Sequence, residues 1–228
     1  MADKGVRGDE ITPLPRRQMF VAFMVQITEA LNITVLFPYI AFMVEDFGPP
    51  YNTDENLGKY VGILAACFCG AQFFSSWIWA NASDRFGRKP TLFFGTLGVA
   101  FGMLIFGTAT TYPQAIAGRI ASGILCGNLS ILKTFITEIT DNSNRGGGFS
   151  ILSISWSIGT VFSPLIGGML SRPCDLYPGT FREGTWLGTT FTTFPYLMPA
   201  LVVMCVNFMT CAFILLFLVE TRPAQSAI

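Results

Sequence analysis

Six stretches of this chain stay predominantly apolar for about 20 residues or more: Gln18–Val44, Leu57–Ala80, Thr91–Thr110, Tyr112–Ile139, Phe149–Ser171 and Pro195–Val219. A helix rising about 1.5 Å per residue needs about 20 residues to cross the hydrocarbon core of a bilayer. Each stretch is therefore long enough to span. Open strands cannot satisfy their edge groups in lipid, and a barrel requires short segments of alternating polarity, which these are not. The expected fold is all-α, a polytopic membrane protein with six transmembrane helices. Composition agrees, because 51% of the 228 residues are apolar and 12% are charged, about half the charge of a soluble domain.

The same composition makes a lipid bilayer the expected partner. Net charge is zero, which gives no reason to expect a nucleic-acid partner, and the chain has no histidine, which excludes a His-based metal site or general base. No metal or cofactor is implied. Cys67, Cys69, Cys126, Cys205 and Cys211 sit in apolar runs, where a thiol acts as a small hydrophobic side chain. Nothing resembles an enzyme's converging nucleophile and base. The first 17 residues are polar, which argues against a cleavable signal peptide.

Lysine and arginine set the orientation. With the N-terminus cytoplasmic, Lys4, Arg7, Arg16, Arg17, Arg85, Arg88, Lys89, Arg145 and Arg222 lie inside and only Lys59, Arg172 and Arg182 outside. Both termini are then cytoplasmic: a tail over 1–17, a bundle over 18–220 and a second tail over 221–228.

Several stretches carry more than topology. In "SDRFGRKP", Asp84 is expected to close the second helix, Gly87 to permit a tight turn and Pro90 to enter the third helix. A carboxylate beside Arg85, Arg88 and Lys89 can form a charge-assisted pair that is made in one conformation and broken in another. A plain topogenic loop is the simpler reading. Arg119 falls within the fourth stretch, where charge is costly and faces protein or a water-filled cavity. It shares a helix face with Gly123 and Gly127. In the fifth stretch, "GTVFSPLIGG" sets Gly159, Ser163 and Gly167 four apart, with Pro164 and Gly168 beside them. Small residues at that spacing let helices approach closely, and an ordinary packing seam would look the same.

Together these strings resemble the major facilitator superfamily. Asp84-Arg85-Phe86-Gly87-Arg88-Lys89 is similar to its loop between the second and third helices, although Ala80 stands where a glycine is usual. Arg119 and Gly123 resemble its fourth-helix motif, with Ser122 where Gln is common. "GTVFSPLIGG" resembles its antiporter motif, with Ser163 replacing one glycine. Glu138 with Arg145, and Glu220 with Arg222, resemble its charged helix-end elements. Longer phrases such as "LPRRQMFVAFMVQITEALNITVLFPYI" look like the fungal drug:proton antiporters near the zinc-induced-facilitator-like group.

That resemblance implies the N-terminal six-helix half of a transporter whose two halves rock about a midplane site. It implies a proton-coupled antiporter that exports small organic solutes. Asp84 and Arg88 would belong to an inner latch with Glu138 and Glu220, and Arg119 to proton coupling. Glu29, midway along the first stretch, is a second candidate, because burial penalises a charged carboxylate. Asn32, Gln72 and Lys133 are candidates to line the cavity. Lys133 follows Arg119 by fourteen residues, nearly the same helical azimuth. Six helices make one half only, so truncation is expected, with a second half or a homodimer as the complement. The competing reading is a non-transporting membrane protein, inactive alone or modulating a full-length partner. Residence in the plasma or the vacuolar membrane stays open.

Overall fold

The structure, a computed structural model, describes residues 12–53, 56–177 and 186–221. Lys4, Arg7, Arg182 and Arg222 lie outside the described residues. Within them the chain forms helices and connecting turns, with no strand. In chain order these are α1 (Arg16–Thr34), α2 (Ile40–Asp46), α3 (Leu57–Phe86), α4 (Arg88–Gly107), α5 (Tyr112–Leu125), α6 (Asn128–Ile139), α7 (Arg145–Leu170), α8 (Pro173–Leu176), α9 (Trp186–Thr193) and α10 (Leu197–Phe217). Five helical stretches are long and apolar enough to cross a membrane: α3, α4, the α5–α6 pair, α7 and α10.

The first apolar stretch differs from expectation, because α1 stops at Thr34 and the chain restarts as α2 at Ile40. Pro38 lies in the gap. It has no N–H to donate and disfavours helical geometry at Phe37. The fourth crossing is also two helices, interrupted where Cys126 adopts an extended backbone. Trp79 Nε1 donates to Ile124 O at 2.7 Å and Ser75 Oγ to Gly123 O at 3.0 Å. Side chains of α3 thus satisfy carbonyls that the break leaves without helical partners, which a lipid setting requires.

Helix ends overrun the apolar limits. The second crossing runs to Phe86 rather than Ala80, so Asp84 lies inside its last turn instead of closing it. Gly87 closes it, at φ +104°, and α4 begins at the next residue. That φ belongs to the region glycine occupies without penalty, and it allows two long helices to meet at one residue. The fifth crossing likewise begins at Arg145 rather than Phe149. Apolarity bounds the stretch suited to lipid, whereas the helices themselves continue through the flanking polar residues.

Helix α1 is central, packed between α7 and α10, while α4 joins α10 to α5 and α5 joins α3. The interior is layered along the bundle. Met19, Val25, Leu92, Phe135 and Ile214 fill the end where α1 begins, here the near end. Leu31, Phe68, Val99 and Val203 fill the middle. Tyr39, Met43, Leu64, Phe106 and Tyr196 fill the far end. The outside is apolar too: Phe74, Trp77 and Leu216 are 78%, 74% and 74% exposed, as suits a surface wetted by acyl chains.

Candidate functional site: a buried carboxylate beside an open cleft

At mid-bundle the first crossing presents Glu29 and Asn32, one turn apart and each 1% exposed. Gln72 Nε2 of α3 donates to Glu29 Oε1 at 2.7 Å, and the Cys126 thiol donates to the same oxygen at 2.8 Å. Glu29 Oε2 is buried without a hydrogen-bond partner among the described residues. The thiol reaches Glu29 because the chain is extended at Cys126, where α5 gives way to α6.

Gln72 and Cys126 have a second surface. Both line an open cleft of about 400 Å³ between α3 and α6, together with Phe73, Leu129, Ser130 and Lys133. Glu29 therefore stands one hydrogen bond behind the cleft wall. Asn32 does not line the cleft. Its amide pairs reciprocally with that of Asn207 of α10, at 3.2 and 2.9 Å, which seals a polar side chain inside the bundle. The Glu29 carboxylate thus has one oxygen held by two donors and one oxygen with no hydrogen-bond partner among the described residues.

Arg119 is 1% exposed and stands away from the cleft. Its Nη1 donates to Asn32 O at 3.2 Å, and its guanidinium lies over the rings of Phe68 at 4.5 Å and Phe106 at 5.7 Å. Aromatic faces stabilise a cation in place of a counter-charge. Arg119 and Glu29 form no ion pair; they are linked through the Asn32 turn of α1. The expected common azimuth of Arg119 and Lys133 fails, because the break at Cys126 resets the register and leaves Lys133 exposed.

The small-residue stripe of α7 turns inward on α1. Ser163 Oγ donates to Leu31 O at 3.2 Å. Side chains added at Gly159 or Gly167 would collide with Ala30 or with the carbonyl of Val35. Pro164 and Gly168 lie to the side, and Gly168 has room.

At the near end Arg88 gathers the charged motif. Its Nη1 meets Asp84 at 2.6 Å and its Nη2 meets Glu138 at 2.7 Å, and Nη1 also donates to Ser83 Oγ. Glu220 accepts the N–H groups of Arg88 at 2.7 Å and Lys89 at 3.1 Å, so a carboxylate beyond α10 caps the positive start of α4. Thr221 Oγ1 ties Glu138 in at 2.6 Å. Arg85 is exposed and forms no ion pair among the described residues, Lys89 contributes its backbone, and Arg145 opens α7 without entering the cluster. Arg222 lies outside the described residues.

The model of the Major Facilitator Superfamily matches residues 22–227. The chain belongs to that superfamily. It is 36% identical over 218 residues to the multidrug transporter mfsB of Aspergillus fumigatus, a match covering 95% of this chain and 35% of the relative. It is 32% identical to Protein ZINC INDUCED FACILITATOR-LIKE 1 of Arabidopsis thaliana, over 83% of this chain and 38% of that one. The fold superposes on human organic anion transporter MFSD10 with TM-score 0.71 at 20% identity, covering 94% of this chain and 50% of that structure. The major facilitator chain thus spans little more than a third of these curated relatives and half of the solved one. It is an integral membrane protein built as half of the superfamily's fold.

Three contributors escape sequence reading. Cys126 reads as a small apolar residue, and its bond to Glu29 depends on the helix break. Asn207 is a lone amide in the sixth apolar stretch, a usable signal. The far-end group of Asp46, Arg172 and Tyr196 comes from three separate connections and has no motif.

Proposed function

We propose that this chain is the N-terminal half of a proton-coupled antiporter that exports small organic solutes by alternating access. One observation carries the proposal: Glu29 is buried, holds a free carboxylate oxygen and is bonded to two residues that line an open cleft. Protonation of Glu29 and entry of solute beside Gln72 and Lys133 would bias the same cleft. Each can then shift the inward–outward equilibrium. Arg119 takes part through Asn32, whose carbonyl it holds one turn from Glu29, while the Asn32 amide ties α1 to α10 through Asn207. Gly159, Ser163 and Gly167, with Pro164 and Gly168, seat α7 on α1 and define the hinge surface.

The near-end cluster of Asp84, Gly87, Arg88 and Lys89 with Glu138 and Glu220 serves as the inner latch, with Arg85 and Arg145 as basic residues beside it. In this reading residues 18–220 form the bundle and both flanking tails are cytoplasmic. The cleft between α3 and α6 faces a second six-helix half or a second copy of the chain.

The test is pH-gradient-driven efflux of a fluorescent amphiphilic dye from proteoliposomes. These hold a full-length relative such as mfsB in which this chain replaces the matching segment. Glu29→Gln and Arg119→Ala are each expected to cut gradient-driven efflux at least about tenfold, the scale of losing an essential proton carrier. Glu29→Gln should still exchange dye down its own gradient. Unchanged gradient-driven efflux in both variants would sink the proposal.

A further inference from the structure

A second groove, of about 600 Å³, opens at the near end between the starts of α1 and α7. Its walls are Met19, Phe20 and Phe23 of α1 and Ile151 and Ile154 of α7, and Arg16 is its one charged lining residue. Phe20 meets Phe213 of α10 edge-on at 5.4 Å. The groove therefore lies on the α10 side of α1, away from the cleft beside Glu29. Helix α10 is the most apolar of the crossings, and its Leu215 and Leu216 are exposed. An exposed apolar surface suited to lipid therefore lies beside the Phe20 wall of the groove.

Its mouth is cationic. Asn144 Nδ2 donates to Thr12 O at 3.0 Å, which holds the two helix starts together. Arg16 lines the groove at the positive start of α1, and Arg17 and Arg145 stand in the first turns of the same two helices. Asp141, an acid at this corner, accepts from the Ser143 hydroxyl at 2.6 Å and N–H at 2.8 Å and stays charged, so the basic residues outnumber it rather than stand alone. An apolar slot with cations where helices leave the membrane matches an acyl chain below an anionic headgroup.

We propose that this groove binds one acyl chain of an anionic phospholipid from the adjoining leaflet, with Arg16 holding the headgroup and Arg17 and Arg145 supporting it. The site is independent of the transport reading and would exist in a chain that transports nothing.

The intact chain is reconstituted in nanodiscs of equimolar phosphatidylserine and phosphatidylcholine, and native mass spectrometry counts the lipids retained. Phosphatidylserine is expected to be retained preferentially. Arg16→Gln should lower that preference about fivefold, the effect of one basic residue near an anionic surface. Ile154→Trp, which fills the groove, should lower retention of both lipids while circular dichroism stays unchanged. Should Arg16→Gln not fold, Arg16→Lys must keep the preference and Ile154→Trp must abolish it. Equal retention of the two lipids, or an unchanged preference in Arg16→Gln, overturns the proposal. A dimer mass that Ile154→Trp abolishes would put a second copy in the groove and overturn it. Higher lipid retention after deletion of residues 2–11 would put the chain's own start there, with the same consequence.

Discussion

Arg88 separates its carboxylate partners by how much water each retains. Its own side chain is 7% exposed, that of Asp84 is 65% exposed and that of Glu138 is 22% exposed. An exposed pair contributes about 0–1 kcal/mol because solvent screens it. Removing the shielded partner leaves a buried guanidinium undercompensated, which costs several kcal/mol in a fully buried pair and about 2 kcal/mol in this partly wet one. Asp84→Asn is therefore expected to change unfolding in detergent little, and Glu138→Gln to lower stability by about 2 kcal/mol. Equal losses would mean that exposure does not rank the pairs. The motif "SDRFGRKP" made Asp84 and Arg88 legible, and opposite charge on the same face suggested Glu138 and Glu220. Which carboxylate matters most was not legible, because exposure is fixed by the way the ends of α6 and α10 fold over the turn.

At the scale of elements, glycine spacing was readable and its target was not. The period of four in Gly159, Ser163 and Gly167 put them on one face, yet only the packed bundle identifies α1 as the surface they meet. Adjacent glycines then part company. A side chain at Gly167 would strike the Val35 carbonyl, whereas one at Gly168 would reach only ordinary contact with Pro38. Backbone cannot yield as a flexible side chain can, so overpacking there costs about 1–3 kcal/mol or more. Gly167→Leu is expected to lower the thermal midpoint and the monodisperse yield, and Gly168→Leu to leave both near wild type. If the two variants behave alike, close approach of α7 to α1 is not what the stripe provides. The helix breaks were the least legible feature. Pro38 announces the first, but the break at Cys126 is announced only by Gly127 in an otherwise helical run. With that break missed, the thiol's bond to Glu29 and the divergence of Arg119 from Lys133 were out of reach.

For the molecule as a whole, two polar groups close opposite ends of one bundle. The near end has the Arg88 cluster. At the far end Asp46 bonds Arg172 at 2.5 Å and Tyr196 at 2.5 Å, while Arg172 Nε donates to Tyr196 Oη at 3.1 Å. The bond to Asp46, ahead of the one to Tyr196, holds Arg172 in its charged form, so losing the acid removes the pair's electrostatic purpose. These three residues join the end of α2, the turn after α7 and the start of α10, three chain segments with no covalent proximity. Three apolar clusters stacked along the bundle lie between the two groups, and coupling between the ends requires an element whose two states both groups bias. Asp46→Asn is expected to speed amide hydrogen exchange in Trp186–Thr193 by about tenfold, corresponding to about 1.4 kcal/mol of lost local stability. Amides of Arg88 and Lys89, bonded to Glu220, should keep or gain protection if opening one end favours closure of the other. An equal rise at both ends would indicate general loosening, and no rise at the far end would show that the Asp46 group holds nothing shut.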